Sequence, residues 1–131
     1  AGIRYRLHVS HLSGTPDLYI SKYKTAVFIN GCFWHAHGCS LCSIPNNNHD
    51  KWLNKLIKNK NRDKAAWNEL ISNEYRLITI WGCSLRGVRS EKMRMIVDAI
   101  LDFLNDDSLI LNIDLNGAHA VSDINGVYYA E

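Results

Sequence analysis

The segment 31–48 carries three cysteines, Cys32, Cys39 and Cys42, and two histidines, His35 and His37, among glycines and asparagines that favour neither helix nor strand. A fourth cysteine, Cys83, stands far along the chain. Thiols this crowded either pair as disulfides or gather a metal, and interleaved histidine favours a metal in a reducing compartment. A sulfur-rich tetrahedral set suits zinc, and four protein ligands leave no open position, so such a zinc is structural. It would staple a long loop to the strand that ends near Cys83. Spacing permits two sets: Cys32, His37, Cys39 and Cys83, or the same with Cys42 replacing Cys32, because Cys39 and Cys42 form a Cys-x-x-Cys. Four unliganded cysteines is the least favoured reading.

Around this loop the pattern switches between strand and helix. Residues 3–9 alternate, with Ile3, Tyr5, Leu7 and Val9 on one face of an expected strand. Gly14-Thr15-Pro16 punctuates, 17–20 is a short apolar run, and a turn at 21–24 leads to a buried strand at 25–29. Residues 50–73 read as a long helix, whole or broken, and 77–81 as a second buried strand ending at Gly82-Cys83. Ser90 is placed to cap another helix with Met93, Ile96, Val97, Ile100, Leu101 and Leu104 on one stripe. Past Asp106 short strands are expected at 109–113 and 127–129. The order predicts an α/β (α+β) domain over 1–131, a mixed sheet with helices packed on it; 131 residues suffice for one core.

Charge is unevenly distributed. All fifteen Lys and Arg lie at or before Arg94 with six of the thirteen acids, so that part is +9 and the remainder −7. A basic part of this kind fits a surface that meets phosphates, and equally a solvated helix face. A hydrophobic fraction of 47% and a charged fraction of 21% exclude a disordered chain. Neither a membrane-length apolar run nor a signal peptide is visible, and a cytoplasmic protein is expected.

Two carboxylates stand out. Asp17 follows Gly-Thr-Pro at the start of a short strand, one hairpin before the buried strand at 25–29. Many nucleases hold a divalent ion in that layout, and magnesium takes oxygen ligands from one or two carboxylates, with water and phosphate completing its shell. The usual second carboxylate and lysine would fall near Ile29 and Gly31, so only the Ile29 backbone carbonyl is on offer there. Pro-Asp also opens ordinary turns. Asp63 lies amid the apolar stripe Trp52, Leu56, Trp67 and Leu70 at about 100° per residue. On a continuous helix it points inward, where an ionised carboxylate is costly unless paired; a break at 59–61 would let it face water. His35, surplus to one zinc set, can serve as a general base, and an inward carboxylate can orient it.

Phe33 and Trp34 are adjacent in a polar loop, an odd place for core aromatics and a suitable one for wedges that enter a base step. Trp52 is a third candidate, although its stripe position also suits a core. Lys55, Lys58 and Arg62, with Lys51, Lys60 and Lys64, can reach phosphates, and Lys22, Lys24, Arg86 and Arg89 form a second basic rim. Trp67 and Trp81 are assigned to the core.

Gly-Thr-Pro-Asp at 14–17, Gly-Cys-Phe-Trp-His-Ala-His-Gly-Cys at 31–39, Lys-Asn-Lys-Asn-Arg-Asp at 58–63 and Trp-Gly-Cys-Ser-Leu-Arg-Gly at 81–87 resemble, in order and spacing, very short patch repair (Vsr) endonucleases. The likeness runs over about residues 3–119. It implies a restriction-endonuclease-like mixed β-sheet flanked by helices, with a structural zinc on Cys32, His37, Cys39 and Cys83. It implies magnesium on Asp17 and the Ile29 carbonyl, water activated by His35 with Asp63 orienting it, and Phe33, Trp34 and Trp52 wedging double-stranded DNA. The implied reaction nicks one strand beside a T:G mismatch left by deamination of 5-methylcytosine, giving 3′-hydroxyl and 5′-phosphate ends. A monomer acting in a bacterial or phage-like cytoplasm is expected. The chain departs from the family at Ile29 and Asn30, where the family has threonine and histidine, and it starts after the family's basic, glutamate-bearing N-terminal helix. Two alternatives share these residues: a homing or restriction-type endonuclease with the same core, and a non-catalytic zinc-stapled DNA-binding module.

Overall fold

The structure, a computed structural model, describes residues 3–31, 45–87 and 89–121. Six strands form one sheet in chain order: β1 (Arg6–Leu7), β2 (Leu18–Ile20), β3 (Thr25–Asn30), β4 (Arg76–Trp81), β5 (Ile110–Asp114) and β6 (Gly117–Val121). β3, β4 and β5 are parallel to one another; the remaining neighbours are antiparallel. Parallel neighbours need long crossovers. Here α1 (His49–Ser72) lies between β3 and β4, and the short α2 (Gly82–Leu85) and α3 (Ser90–Leu104) lie between β4 and β5. The mixed sheet with packed helices is therefore as expected.

The central strands are apolar on both faces because both faces are covered. Ala26, Phe28, Leu77, Trp81 and Ile110 pack with Trp67 and Leu70 of α1. Val27, Ile78, Ile80, Leu111 and Ile113 pack with Ile96, Phe103 and Leu104 of α3. The alternation follows the two-residue period of a strand. Trp67 sits where α1 meets the sheet, its ring edge-on to Phe28 at 6.1 Å and to Trp81 at 6.2 Å. Both tryptophans are core residues, as the sequence implied, and α1 runs unbroken for 24 residues, so no break falls at 59–61.

Arg76 ties the start of β4 to the end of α3. Its guanidinium donates to the carbonyls of Phe103, Leu104 (3.3 Å), Asp106 (3.0 Å) and Ser108 (2.9 Å), and lies 4.2 Å from the centre of the Phe103 ring. The last carbonyls of a helix lack intrahelical donors, and a cation satisfies them while matching the helix dipole. Burial pulls the guanidinium below its usual value, while Asp106 and Asp107 push it back up.

Three local expectations are corrected, and one strand is added. The strand at 3–9 shrinks to Arg6–Leu7, because His8 turns to a φ of 49° and β2 offers only three residues to pair with. Ser90 is the first residue of α3 and not its cap; Arg89 holds the cap position, with no side-chain capping bond. The buried face of α3 is rotated toward Phe103, leaving Met93 and Val97 exposed. The strand expected at 109–113 is present as β5, and it pairs with an additional strand, β6, whose small residues, Gly-Ala-His-Ala-Val, carry little strand signal. The strand expected at 127–129 lies outside the described residues.

Arg76→Met keeps the stem and removes the guanidinium donor from four carbonyls, of which Phe103 keeps the Asp106 N–H. Urea denaturation is expected to show a loss of about 2–3 kcal/mol, typical of charged hydrogen bonds. An unchanged midpoint and slope would mean that the clamp adds nothing to stability.

Candidate active site

β2 has three residues and β3 has six, and the difference creates the site. The last β2–β3 pair is Leu18 with Val27. Ile29 lies two residues further, where β2 has already ended. Asp17, just before β2, turns its carboxylate into that gap, and Oδ2 accepts the Ile29 N–H at 2.7 Å. The length is that of a charge-assisted bond. In an extended strand the N–H and C=O of one residue point to the same edge. The Ile29 carbonyl thus lies on the Asp17 side of β3. The His8 N–H holds Asp17 from its other neighbour, donating to the Asp17 carbonyl at 3.2 Å.

Gly14 lets the Asp17 loop lie close to α1. Its φ is +77°, and a Cβ there would stand 3.0 Å from the Ala66 Cβ and 3.1 Å from the Phe28 ring. Ile29 is 46% exposed, which corrects the expectation that the whole run 25–29 is buried. α3 covers Val27 on that face but not Ile29.

Asp63 occupies the sheet-facing side of α1, one turn before Trp67. Its side chain is 13% exposed, and the outward Arg62 guanidinium stands 3.7 Å from its Oδ1. A crossover helix runs antiparallel to the strands it joins. Residues before Trp67 therefore lie toward the end of β3 that carries Ile29 and Asn30. Asp63 is inward, as the stripe predicted, and belongs to the same end of the sheet as Asp17.

Asn30 also lies at that end, on the α1 face two residues after Phe28 and beside Trp81 in the parallel register. It is 4% exposed, and its Nδ2 has no hydrogen-bond partner among the described residues. Leaving a buried donor unsatisfied costs about 1–3 kcal/mol. In the sequence Asn30 stands out as a departure from the resembled family, which has histidine at this position. The available signal was its position, a polar residue closing an apolar strand.

Cys83 is buried in the first turn of α2, and its sulfur accepts the Leu115 N–H at 3.2 Å. Trp52 is half-buried, with the Lys55 ammonium 5.8 Å from its ring centre. Lys55, Lys58 and Arg62 are exposed and share one stripe of α1 beside Asp63. Cys32, Phe33, Trp34, His35, His37, Cys39 and Cys42 lie outside the described residues. Among the described residues no group of three or more His, Cys, Asp or Glu side chains is placed to hold a metal. Nor is any of their helices long and apolar enough to cross a membrane.

A family model described as DNA mismatch endonuclease Vsr matches residues 1–41. The Type II nicking enzyme V.NmeAIP of Neisseria meningitidis is 41% identical over 103 residues, covering 77% of this chain and 74% of that protein. The DNA mismatch endonuclease Vsr of Escherichia coli is 29% identical over 121 residues, covering 92% and 78%. The Type II nicking enzyme V.XorIIP of Xanthomonas oryzae pv. oryzae is 35% identical over 99 residues, covering 74% and 73%. The class is thereby fixed as an endodeoxyribonuclease. Within that class, the chain belongs to the Vsr DNA mismatch endonuclease family.

Gly14→Ala is expected to destabilise the fold by about 1–3 kcal/mol through overpacking, with the left-handed backbone adding about 1–2 kcal/mol. Ala66→Gly in the same chain should relieve the steric part, read as a partial recovery of the melting temperature. A Gly14→Ala variant that melts like wild type would contradict the close approach of this loop to α1.

Proposed function

We propose that this chain is a magnesium-dependent endonuclease that nicks one strand of duplex DNA at a T:G mismatch, leaving 3′-hydroxyl and 5′-phosphate ends. The carrying observation is the Asp17 carboxylate on the Ile29 N–H at 2.7 Å. One carboxylate oxygen is engaged by that bond. The other and the Ile29 carbonyl are two hard oxygens at one strand edge, a donor set that suits magnesium, which keeps several waters besides one or two protein ligands. When bound there, magnesium would offset the charge that grows on the phosphate.

The protein's own groups supply the rest. His35 removes a proton from the attacking water, and Asp63, inward on α1, orients the imidazole. The water oxygen bonds to phosphorus, the P–O3′ bond breaks, and the 3′ oxygen leaves as a hydroxyl once protonated. Phe33, Trp34 and Trp52 wedge the base step, while Lys55, Lys58 and Arg62 contact phosphates from the exposed stripe. Cys32, His37, Cys39 and Cys83 hold a structural zinc that fastens the 31–48 loop to the end of β4. The burial of Cys83 and the Leu115 N–H on its sulfur suit a zinc thiolate. The mixed sheet covered on both faces suits a restriction-endonuclease-like core. Mismatch specificity draws support from the printed name of the Escherichia coli relative, and single-strand cutting from the names of the nicking enzymes. We take the enzyme to be a cytoplasmic monomer whose partner is double-stranded DNA.

The test is magnesium-dependent nicking of a labelled duplex with and without one T:G mismatch. Wild type should nick only the mismatched duplex. His35→Ala should not, and Asp17→Asn, which keeps an acceptor for the Ile29 N–H, should fold normally yet lose about 10²–10³-fold or more in rate. Equal cutting of both duplexes would remove the mismatch role and favour a site-specific endonuclease. Binding without cutting by wild type would favour a non-catalytic module.

A further inference from the structure

The β5–β6 hairpin turns through Leu115 and Asn116, flanked by the Asp114–Gly117 pair. Neither turn residue has a positive φ, and Gly117, at +114°, takes up the left-handed step that returns the chain into β6. Asp114 bends the turn itself, its Oδ1 accepting the Asn116 N–H at 2.8 Å. The Leu115 N–H is left outside the ladder and donates to the buried Cys83 sulfur at 3.2 Å. That separation falls at the upper end of the N–H···O range, although sulfur is the larger atom. Negative charge on the acceptor shortens such bonds, and a zinc-bound thiolate carries it. A thiol is a weak acceptor, and water would serve an N–H in an exposed turn better.

A chain of hydrogen bonds ties this turn to the residue that leads into Cys83. Asp114 Oδ2 accepts from the Asn112 Nδ2 at 3.3 Å, and Asn112 Oδ1 accepts the Trp81 Nε1–H at 2.6 Å. Trp81 ends β4 directly before α2, whose Ser84 Oγ donates back to the Trp81 carbonyl at 2.7 Å. The Trp81 indole thus holds the donor side of the Cys83 contact, and its backbone holds the acceptor side. Resting on the reading of Cys83 as a zinc ligand, we propose that the 114–117 turn is a positioning element for that ligand. Its Leu115 N–H fixes the direction of the Cys83 sulfur and takes up part of the thiolate charge when zinc is bound. Partners of this kind, one bond removed from the metal, orient a ligand and tune its hold. The turn thereby helps to set where the 31–48 loop, with His35, is fastened to the end of β4.

Leu115→Pro removes the N–H at a turn position that accepts proline. In competition with a chromophoric chelator, its zinc affinity should fall about 10- to 100-fold, the usual cost of losing such a partner. In the cobalt-substituted protein, the sulfur-to-cobalt charge-transfer band should move to longer wavelength, because a thiolate relieved of its hydrogen bond gives up an electron more readily. Leu115→Ala keeps the N–H and should match wild type in both readouts. Asp114→Ala, which removes the acceptor that bends the turn, should move both in the same direction by less. Wild-type affinity and an unmoved band in Leu115→Pro overturn the proposal. So does a lowered melting temperature of the metal-free protein with an unmoved band, which would make the turn structural only. Should Leu115→Pro fail to fold, an unmoved band in Asp114→Ala overturns it equally. A wild-type cobalt spectrum that Cys83→Ser leaves unchanged would instead overturn the reading of Cys83, and this proposal with it.

Discussion

A strand that outruns its neighbour has backbone groups to satisfy, and β3 outruns β2 at the end of the sheet that carries the proposed site. Beyond the Leu18–Val27 pair, the Ile29 N–H needs an acceptor, and Asp17 is the first residue upstream of β2 able to fold back and supply one. The same carboxylate that completes the backbone is thereby fixed in direction, beside a carbonyl pointing to the same edge. Structural need and reactive geometry are met by one hydrogen bond. The Gly-Thr-Pro turn before it serves that bond: Gly14 admits the close approach to Ala66, and buried Pro16 stiffens the entry to Asp17.

The remainder of the fold keeps this edge rigid. β3, β4 and β5 form a parallel core covered by α1 on one side and α3 on the other, and parallel pairing anchors β3 along all six residues, Thr25–Asn30. Trp67 joins α1 to both β3 and β4 through Phe28 and Trp81, which fixes the rotation of α1 and so the inward direction of Asp63. At the opposite end of β4, the Arg76 clamp sets where α3 stops. The site is thus built on strand and helix ends that large side chains hold in place, a support that loops alone provide poorly.

Much of this arrangement is legible in the sequence where the signal is periodic. The 24-residue α1, the buried strands around Val27 and Ile78, and the inward Asp63 all follow from the spacing of apolar residues. Signals fail where tertiary context overrides pattern. Residues 3–9 alternate as a strand should, but pairing ends where β2 ends, and His8 turns away. β6 has small, mostly exposed side chains, with only Val121 partly buried, and pairs along the edge that β5 offers it. The α3 stripe included Val97 and missed Phe103, because the face that packs is chosen by the sheet it meets. Around the candidate site, Asp17 is visible through its Pro-Asp context and Asn30 as a polar residue closing an apolar strand, whereas the Ile29 N–H that holds Asp17 leaves no mark on composition or spacing.

Manganese, which favours the same hard oxygen ligands as magnesium and is paramagnetic, locates the ion directly. Added in small amounts to nitrogen-labelled protein, it should broaden the amide signals of Leu18, Ile29 and Asn30 before others, and that selectivity should vanish in Asp17→Asn. Broadening centred on the acidic pair Asp106 and Asp107, or spread evenly over the acids of the chain, would contradict an ion held at the Asp17–Ile29 edge.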